Sequence, residues 1–591
     1  MTSFYAEFLE TLVWRPGQAL IALYWHLTRR RVRAQNWLRR DWMLAPNAYQ
    51  KWIRIVEDDN SAACRLTEDL QRLGERLDLT VMIDSDLWEP ADVVRLASDL
   101  ALQPFPSWEL LICGNYPPDL KGSDSRIRYV PVADGFCALE AGLLAAQGTH
   151  LWPLDVGTRI PRAALLRWAV KWHENRDAIV TFADEDHLDD QFNRTLPWLK
   201  PAWQRELLLS QDYMSGACLL AVAPARKVLP LTAVQRLAPV YALLLAMTRD
   251  PSACVTKVSA IQCHRRRTAP ESGQDERLQV LADHLRDTSA RVEPGPFGSH
   301  VVLWPLPEGP KPLVSIIVPT KDKAGLLRAC VESVLSKTTW QAYEIIIVDN
   351  NSEEVDTFTY LKELSAHERV RVIADQRGYN FSALNNAAIK HAAGSYICLL
   401  NNDTEVITGD WLERMMRHAV RSHVGAVGAK LLYPNHTIQH AGVVIGMGNA
   451  AGHAHRGLAN DDPGYFVQAH ITREATAVTA ACLVIEKSKY LAVGGLDEKH
   501  FAIAYNDVDL CLKLRKSGLS NIYVPAAELF HYESVSRGDD LSTTHRDRYM
   551  AELGALKARW NTETYVDPLH HELLDRATEY YTLCFRESSL S

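Results

Sequence analysis

Asn401, Asn402 and Asp403 follow the apolar run YICLL, so Asn401 and Asp403 place two oxygen-bearing side chains on the same side of an extended stretch. One carboxylate beside an amide suits a hard divalent cation, Mg2+ or Mn2+, that takes its remaining coordination from phosphate and water. The same Asn-Asn-Asp-Thr string also suits a simple turn. Asp507 and Asp509 open the apolar-periodic segment YNDVDLCLKLRKSG, which Gly518 ends. A carboxylate there can act as a general base towards a hydroxyl, or it can cap a helix, a contribution of about 1 kcal/mol. His531, in LFHYESVSRG, is a further candidate for a metal or phosphate contact, with a structural role as its alternative. His440, His453 and His455 stand in QHAGVVIGMGNAAGHAHRG. No cysteine or further ligand near them completes a zinc site, and they are read as lining an acceptor cleft. Gly446, Gly448 and Ala451 match a dinucleotide fingerprint in spacing alone, because Asp461-Asp462-Pro463-Gly464 follows where a long helix is required.

These residues must be brought together by an α/β scaffold. Short apolar runs alternate with helical segments, which predicts a mostly parallel sheet covered by helices, with ligands at the carboxyl ends of the strands. VSIIV, YEIIIVD, RVRVIA and YICLL are the strands of one unit, and their ends carry Pro319 and Thr320, Asp349 and Asn350, and Asn401 to Asp403. The unit is a repeat. LTVMID (79–84) aligns with VSIIVP (314–319) and SWELLICGN (107–115) with AYEIIIVDN (342–350), without a gap, while AAQGTHLWPLDVGTRI (145–160) aligns with HAAGSYICLLNNDTEV (391–406). The expected organisation is a helical arm over 1–75, a first copy over 76–270, a helical linker over 271–310, a second copy over 311–540 and covering helices over 541–591.

A length of 591 residues predicts several domains, and 47% hydrophobic with 23% charged residues is an ordinary globular composition. A formal charge of −8 argues against a nucleic-acid partner. Eleven cysteines without a C-x-x-C pair, no run of 18 apolar residues and no signal-peptide pattern point to a cytoplasmic protein. The arm places Phe4, Phe8, Leu9 and Leu12 at helical spacing, then ALIALYW, then Arg29, Arg30, Arg31 and Arg33, with a break at Pro16-Gly17. Such a segment either packs on the body or lies on an anionic membrane surface, on the inner face of the cytoplasmic membrane.

The second copy resembles glycosyltransferase family 2, the inverting nucleotide-sugar transferases of GT-A fold, through PLVSIIVPTKDKAGLLRACVESVLSKT, YEIIIVDNNS, FSALNNAAIKHAAGSYICLLNNDTEVI, GGLDE and AYNDVDLCLKL in order. The first copy resembles it more loosely, through FADEDHLDD and LKPAWQRELLLSQDYM, as in tandem, rhamnosyltransferase-like enzymes for bacterial surface polysaccharides. The resemblance implies that Pro319, Thr320, Asp349, Asn350, Asn385, Asn401 and Asn402 contact the nucleotide sugar. It implies Asp403 and His531 as ligands of Mg2+ or Mn2+, and Asp507 as the base with Asp509 as runner-up. Asn401 stands where the family's metal motif begins with a carboxylate, and Asn506 stands where its base motif has a glutamate. A glycan or lipid-linked glycan in O-antigen or capsule synthesis is the implied acceptor.

The first copy lacks these groups. Gly114 stands for Asp349, Gly157 for Asp403 and Asp84 for Pro319; with His264 set opposite His531, Val240 and Ala242 replace Asp507 and Asp509. A degenerate, inactive first copy is therefore expected, with Asp184, Glu185 and Asp186 as a solvated acidic turn. A non-catalytic glycan-binding scaffold and a sugar nucleotidylyltransferase are the alternative readings; joint retention of Asp349, Asp403 and Asp507 in one copy speaks against the first, and the poor phosphate loop PTKDKAGLL against the second.

Overall fold

The apolar runs form the strands of two mixed sheets, each buried on both faces. The computed structural model describes residues 4–28, 34, 37–38, 47–57, 59–73, 77–115, 124–266, 273–532 and 546–584. In the first sheet β1 (Leu79–Asp84), β2 (Trp108–Gly114), β3 (Ile127–Pro131) and β4 (His150–Pro153) are followed by β5 (Val180–Leu188), β6 (Arg194–Trp198), β7 (Cys218–Ala221) and β8 (Val255–Arg266). Their spatial order is 3-2-1-4-7-5-6, with β8 also on β5. A hairpin of β9 (Arg291–Pro294) and β10 (His300–Leu303) leads to the second sheet.

There β11 (Val314–Thr320), β12 (Tyr343–Asp349), β13 (Val370–Ala374) and β14 (Tyr396–Leu400) repeat the parallel half. Next come β15 (Thr404–Val406), β16 (Val424–Leu432), β17 (Ile438–His440), β18 (Val443–Ile445), β19 (Ala451–His453), β20 (Arg473–Ala475), β21 (Cys482–Glu486) and β22 (Ser520–His531). The main path runs 13-12-11-14-21-16-22-15, and β21 joins it antiparallel to both β14 and β16.

Alternation along continuous apolar strands explains the double burial. Val314, Ile316 and Val318 face Leu327, Val331 and Trp411, while Ile317 turns to Phe381, Leu384 and Ala388 on the opposite side. The first sheet does the same with Val81 and Ile83 against Met82.

The duplication reaches the hydrogen bonds. Leu79 pairs with Trp108 and His150 where Val314 pairs with Tyr343 and Tyr396, the partners that the aligned segments give. Thr80 donates to Glu109 at 2.7 Å, and Ser315 to Glu344 at 2.6 Å. The N–H groups of Gly148 and Gly394 then donate to those two hydroxyls. Only glycine fits either place, since a Cβ would stand 2.7 Å from the carbonyl oxygen of Asp78 or Leu313.

The segment read as a linker is built into the first body: Val280, Leu281, Leu285, Val302 and Trp304 are buried in its core. The two bodies are joined by Trp198 stacked on Phe466 at 4.5 Å, Ser210 donating to the Thr472 carbonyl, and Arg421 paired with Glu206 at 2.7 Å. Burial raises the Glu206 pKa, but the Arg421 guanidinium outweighs it and brings it down to about 2. After the helix Arg546–Trp560 the chain is turn-rich and crosses to the first body, where His571 meets Asp184 at 2.7 Å.

Candidate functional site

Strand ends β11, β14 and β22 bring the predicted metal and donor residues together. Asp403, 3% exposed, lies at the end of the turn after β14, and its Oδ1 is 3.2 Å from His531 Nε2. His531 Nδ1–H donates to Gln439 Oε1 at 2.6 Å, while its Nε2 accepts from Asn401 Nδ2 at 3.2 Å. The Nε2 lone pair and a carboxylate oxygen thus converge, and the outer hydrogen bond fixes the ring tautomer. This oxygen and nitrogen pair fits Mn2+ or Mg2+ completing its shell from diphosphate and water. Among the described residues no group of three or more histidines, cysteines and acids forms a closed protein cage for a metal.

The neighbouring polar residues order the strand ends. Asn402 donates to Thr320 Oγ1 at 3.0 Å, and the Asn350 N–H to the Thr320 carbonyl. Pro319 precedes Thr320 on β11, which pairs through Thr320 with Asp349 on β12. Asp349 Oδ1 accepts the Ser352 N–H at 3.2 Å. Asn350 is buried, with its amide committed to the carbonyls of Asp375 and Arg377, so it shapes the loop. Asn385 is buried in the helix Phe381–Ile389 and donates to the Phe381 carbonyl at 2.8 Å.

A cleft of about 300 Å³ opens beside these strand ends, lined among others by Asn401, His453, Thr479, Tyr505, Asp507 and Tyr549. Asp507 sits in the first turn of the helix Asn506–Lys516 and accepts the Ala480 N–H at 3.0 Å. Asp509 points elsewhere. Fully buried, it takes Arg559 and Trp560 N–H groups at 2.9 Å each and pairs with Lys513 at 3.0 Å, so it anchors the C-terminal helix. Asp507 is the carboxylate in the cleft.

The three histidines also separate. His453 lines the cleft, and His440 lies buried behind it with its Nδ1 2.9 Å from His453 Nδ1. Burial holds His440 well below the ordinary histidine pKa, and the neighbouring His453 and Arg473 act in the same direction. His455 is 1% exposed, stacks on Tyr581 at 4.5 Å and is outside the residues lining the cleft.

The equivalent place in the first sheet is filled differently. β5 pairs Asp186 with His264 where β16 pairs Leu432 with Phe530, and Arg159 bridges to His264 where Glu405 pairs with Phe530. The residue opposite His531 is therefore Arg265; matching histidine to histidine sets His264 one place off, since β8 and β22 keep the same register to β5 and β16 on both sides of their bulges. Arg265 donates to Glu185 at 2.7 Å and pairs with Asp155, which stands opposite Asn401. The helix matching Asn506–Lys516 is PVYALLLAM, with no acid in any register.

Asp184, Glu185 and Asp186 are not a solvated turn. All three are buried on β5: Asp184 meets Lys257 and His571, Glu185 meets Lys200 and Arg265, and Asp186 meets His264 and Arg194. Acidic residues at this depth persist because each has cationic partners.

Sequence reasoning missed Gln439, Tyr505 and Tyr549 at the site. Gln439 adjoins His440 and had no signal of its own, while Tyr549 comes from the C-terminal helix outside the repeat.

Residues 315–460 match the family model described as "Glycosyl transferase family 2". The chain is 35% identical over 543 residues to the uncharacterised protein y4gI of Sinorhizobium fredii, covering 86% of this chain and 59% of that one. It is 33% identical over 516 residues to the O-antigen biosynthesis protein RfbC of Myxococcus xanthus, covering 83% of this chain and 40% of the relative. A shorter stretch of 77 residues, 12% of this chain and 25% of the relative, is 36% identical to an N-acetylglucosaminyl-diphospho-decaprenol L-rhamnosyltransferase of Mycobacterium tuberculosis. The chain thus spans 59% and 40% of the two long relatives.

Proposed function

With residues 315–460 belonging to glycosyl transferase family 2, we propose that the chain moves a sugar from a nucleotide-sugar donor to a hydroxyl of a glycan acceptor, inverting the anomeric carbon. One observation carries the reading: Asp507 lines a cleft together with Asn401, whose side-chain amide meets His531, the partner of Asp403. Asp403 and His531 would hold Mn2+ or Mg2+, which when bound supplies positive charge for a departing diphosphate. Gln439 keeps the His531 ring in the tautomer whose Nε2 lone pair a metal would take in place of the Asn401 N–H, and Thr320 and Asn402 tie the donor-side strand ends together. Asp507 accepts the proton of the acceptor hydroxyl as its oxygen bonds to the anomeric carbon. The bond to the nucleoside diphosphate breaks with its electron pair going to the leaving oxygen, so a single displacement needs no covalent enzyme intermediate.

The relatives' names favour a lipid-linked glycan of a bacterial surface polysaccharide as the acceptor class. The amino-terminal helices Phe4–Trp14 and Pro16–Leu27 support a place on the inner face of the membrane, since they expose Leu9, Val13, Leu20, Tyr24 and Leu27. Arg29, Arg30, Arg31 and Arg33 follow in the sequence, outside the described residues. No helix among the described residues is long and apolar enough to cross a membrane, so this contact would be an in-plane one. The first copy, with Arg265 and Gly157 in place of His531 and Asp403, acts as a non-transferring partner domain.

The test is nucleoside-diphosphate release from a panel of nucleotide sugars with Mn2+ and lipid-linked acceptors, with the product's anomeric configuration read by NMR. Turnover of a donor with inversion is expected. Retention of configuration would overturn the displacement, and binding of glycans without turnover of any donor would leave a scaffold instead.

A further inference from the structure

We propose that Glu552, on the C-terminal helix, is the positioning residue of the base Asp507: it holds from behind the turn that sets that carboxylate in the cleft. The inference rests on the transfer reaction above, in which Asp507 takes the proton of the acceptor hydroxyl.

Residues 503–508 form one wall of the cleft. Their chain enters the helix Asn506–Lys516 by a strained path. Tyr505, the residue before the helix, has φ +61° and ψ 8°, the left-handed region that crowds any side chain. Such a conformation persists only where its surroundings over-determine it, and here it lies two residues before the base. Within the turn, the Asn506 side-chain amide donates to the Ile503 carbonyl at 2.7 Å, and the Asp509 N–H donates to the Tyr505 carbonyl at 3.0 Å.

The N–H groups of Ile503 and Ala504 both go to Glu552. Its Oε1 accepts the first and its Oε2 the second, each at 3.0 Å. Glu552 is buried, and Arg548, one turn earlier on the same helix, donates to Oε2 at 2.9 Å. Tyr549, on the same helix face as Glu552, adds a second tie, with its hydroxyl 2.7 Å from that of Tyr505. Beyond the base, Asp509 is bound by Arg559 and Trp560 of that helix. One helix outside the repeat therefore grips the turn that carries Asp507 both before and after it.

A grip through two oxygens fixes the direction of the 503–504 peptide as well as its distance. Without it the turn relaxes towards ordinary backbone angles and Asp507 moves off the acceptor hydroxyl. That displacement costs rate without touching Asp403 and His531 on the donor side.

The test is steady-state nucleoside-diphosphate release measured well below the melting temperature. Rates are expressed per donor-binding site, counted by nucleotide-sugar titration, so that unfolded chains do not enter kcat. Glu552→Ala should lower kcat about 10–100-fold with the donor KM within about twofold of the wild type. Glu552→Gln, which keeps one acceptor oxygen, should fall between the two. On the Asp507→Asn background, Glu552→Ala should cost less than about twofold more, because a group that acts through Asp507 has nothing left to position. Hydrogen exchange of the 503–508 amides, read without substrate, should quicken about tenfold or more in Glu552→Ala. A wild-type kcat in Glu552→Ala, a multiplicative fall in the double variant, or unchanged amide protection would overturn the proposal while leaving glycosyl transfer intact. Absence of transfer by the wild-type chain would instead overturn the reading on which the proposal rests.

Discussion

Arg265 and His531 hold the same place in two copies of one sheet, and each meets the turn after the fourth strand of its copy. In the second copy that turn supplies Asp403 to pair with an imidazole. In the first copy Gly157 leaves the carboxylate out, and a permanently charged guanidinium sits between Asp155 and Glu185. A fixed internal cation has replaced the place where the second copy can hold an exchangeable one.

That substitution makes Arg265 a stability residue. Arg265→Met leaves the buried Glu185 with Lys200 as its remaining cation, and breaking a buried pair costs about 3–5 kcal/mol. Thermal unfolding should show a melting temperature lower by on the order of 10 °C. Nucleoside-diphosphate release well below that temperature should stay at the wild-type rate. An unchanged melting temperature would show that the guanidinium is not integral to the first body.

Two carboxylates two residues apart on one helix, and so on different faces of it, should separate cleanly. Asp507→Asn is expected to lower kcat by about 10²–10⁴-fold with little change in melting temperature. Asp509→Asn removes the partner of Arg559 and Lys513 and should lower stability by about 3 kcal/mol, seen as an earlier urea midpoint. The reverse pattern would reassign the base.

Glu474, on β20 near Glu206 at the junction of the two bodies, is pushed up to about 7 by burial and by the Glu206 charge. A carboxyl with a folded pKa above its unfolded value contributes stability that is complete below the unfolded pKa, near 4.3, and is lost as pH rises through about 7. Glu474→Gln mimics the neutral form. It should raise the melting temperature by about 3–6 °C at pH 8 and by progressively less towards pH 5. An equal effect at both values would place the ionisation elsewhere.

Much of this was legible in the sequence because a duplication supplies its own control. The aligned segments 79–84 with 314–319 and 145–160 with 391–406 predicted strand register as well as strand position. The grouping of Asn401, Asp403 and His531 followed from strand ends. The register of β8 was not legible, because matching His264 to His531 by residue type falls one place off the strand pairing, which sets Arg265 opposite His531. The burial of Asp184, Glu185 and Asp186 was hidden as well, because three consecutive acids read as solvent-facing until Lys200, Lys257 and Arg194 arrive from distant chain positions. His455 failed for a related reason: its neighbour Tyr581 comes from the C-terminal segment, which no repeat foreshadows.

The most direct test of the account is the metal dependence of nucleoside-diphosphate release, measured on the wild type and on Asp403→Asn with a nucleotide sugar that the wild type consumes. The account predicts that chelation abolishes turnover, that Mn2+ or Mg2+ restores it, and that Asp403→Asn remains slower by about 100-fold or more at saturating metal. Turnover that survives chelation, or an Asp403→Asn variant working at the wild-type rate, would contradict it.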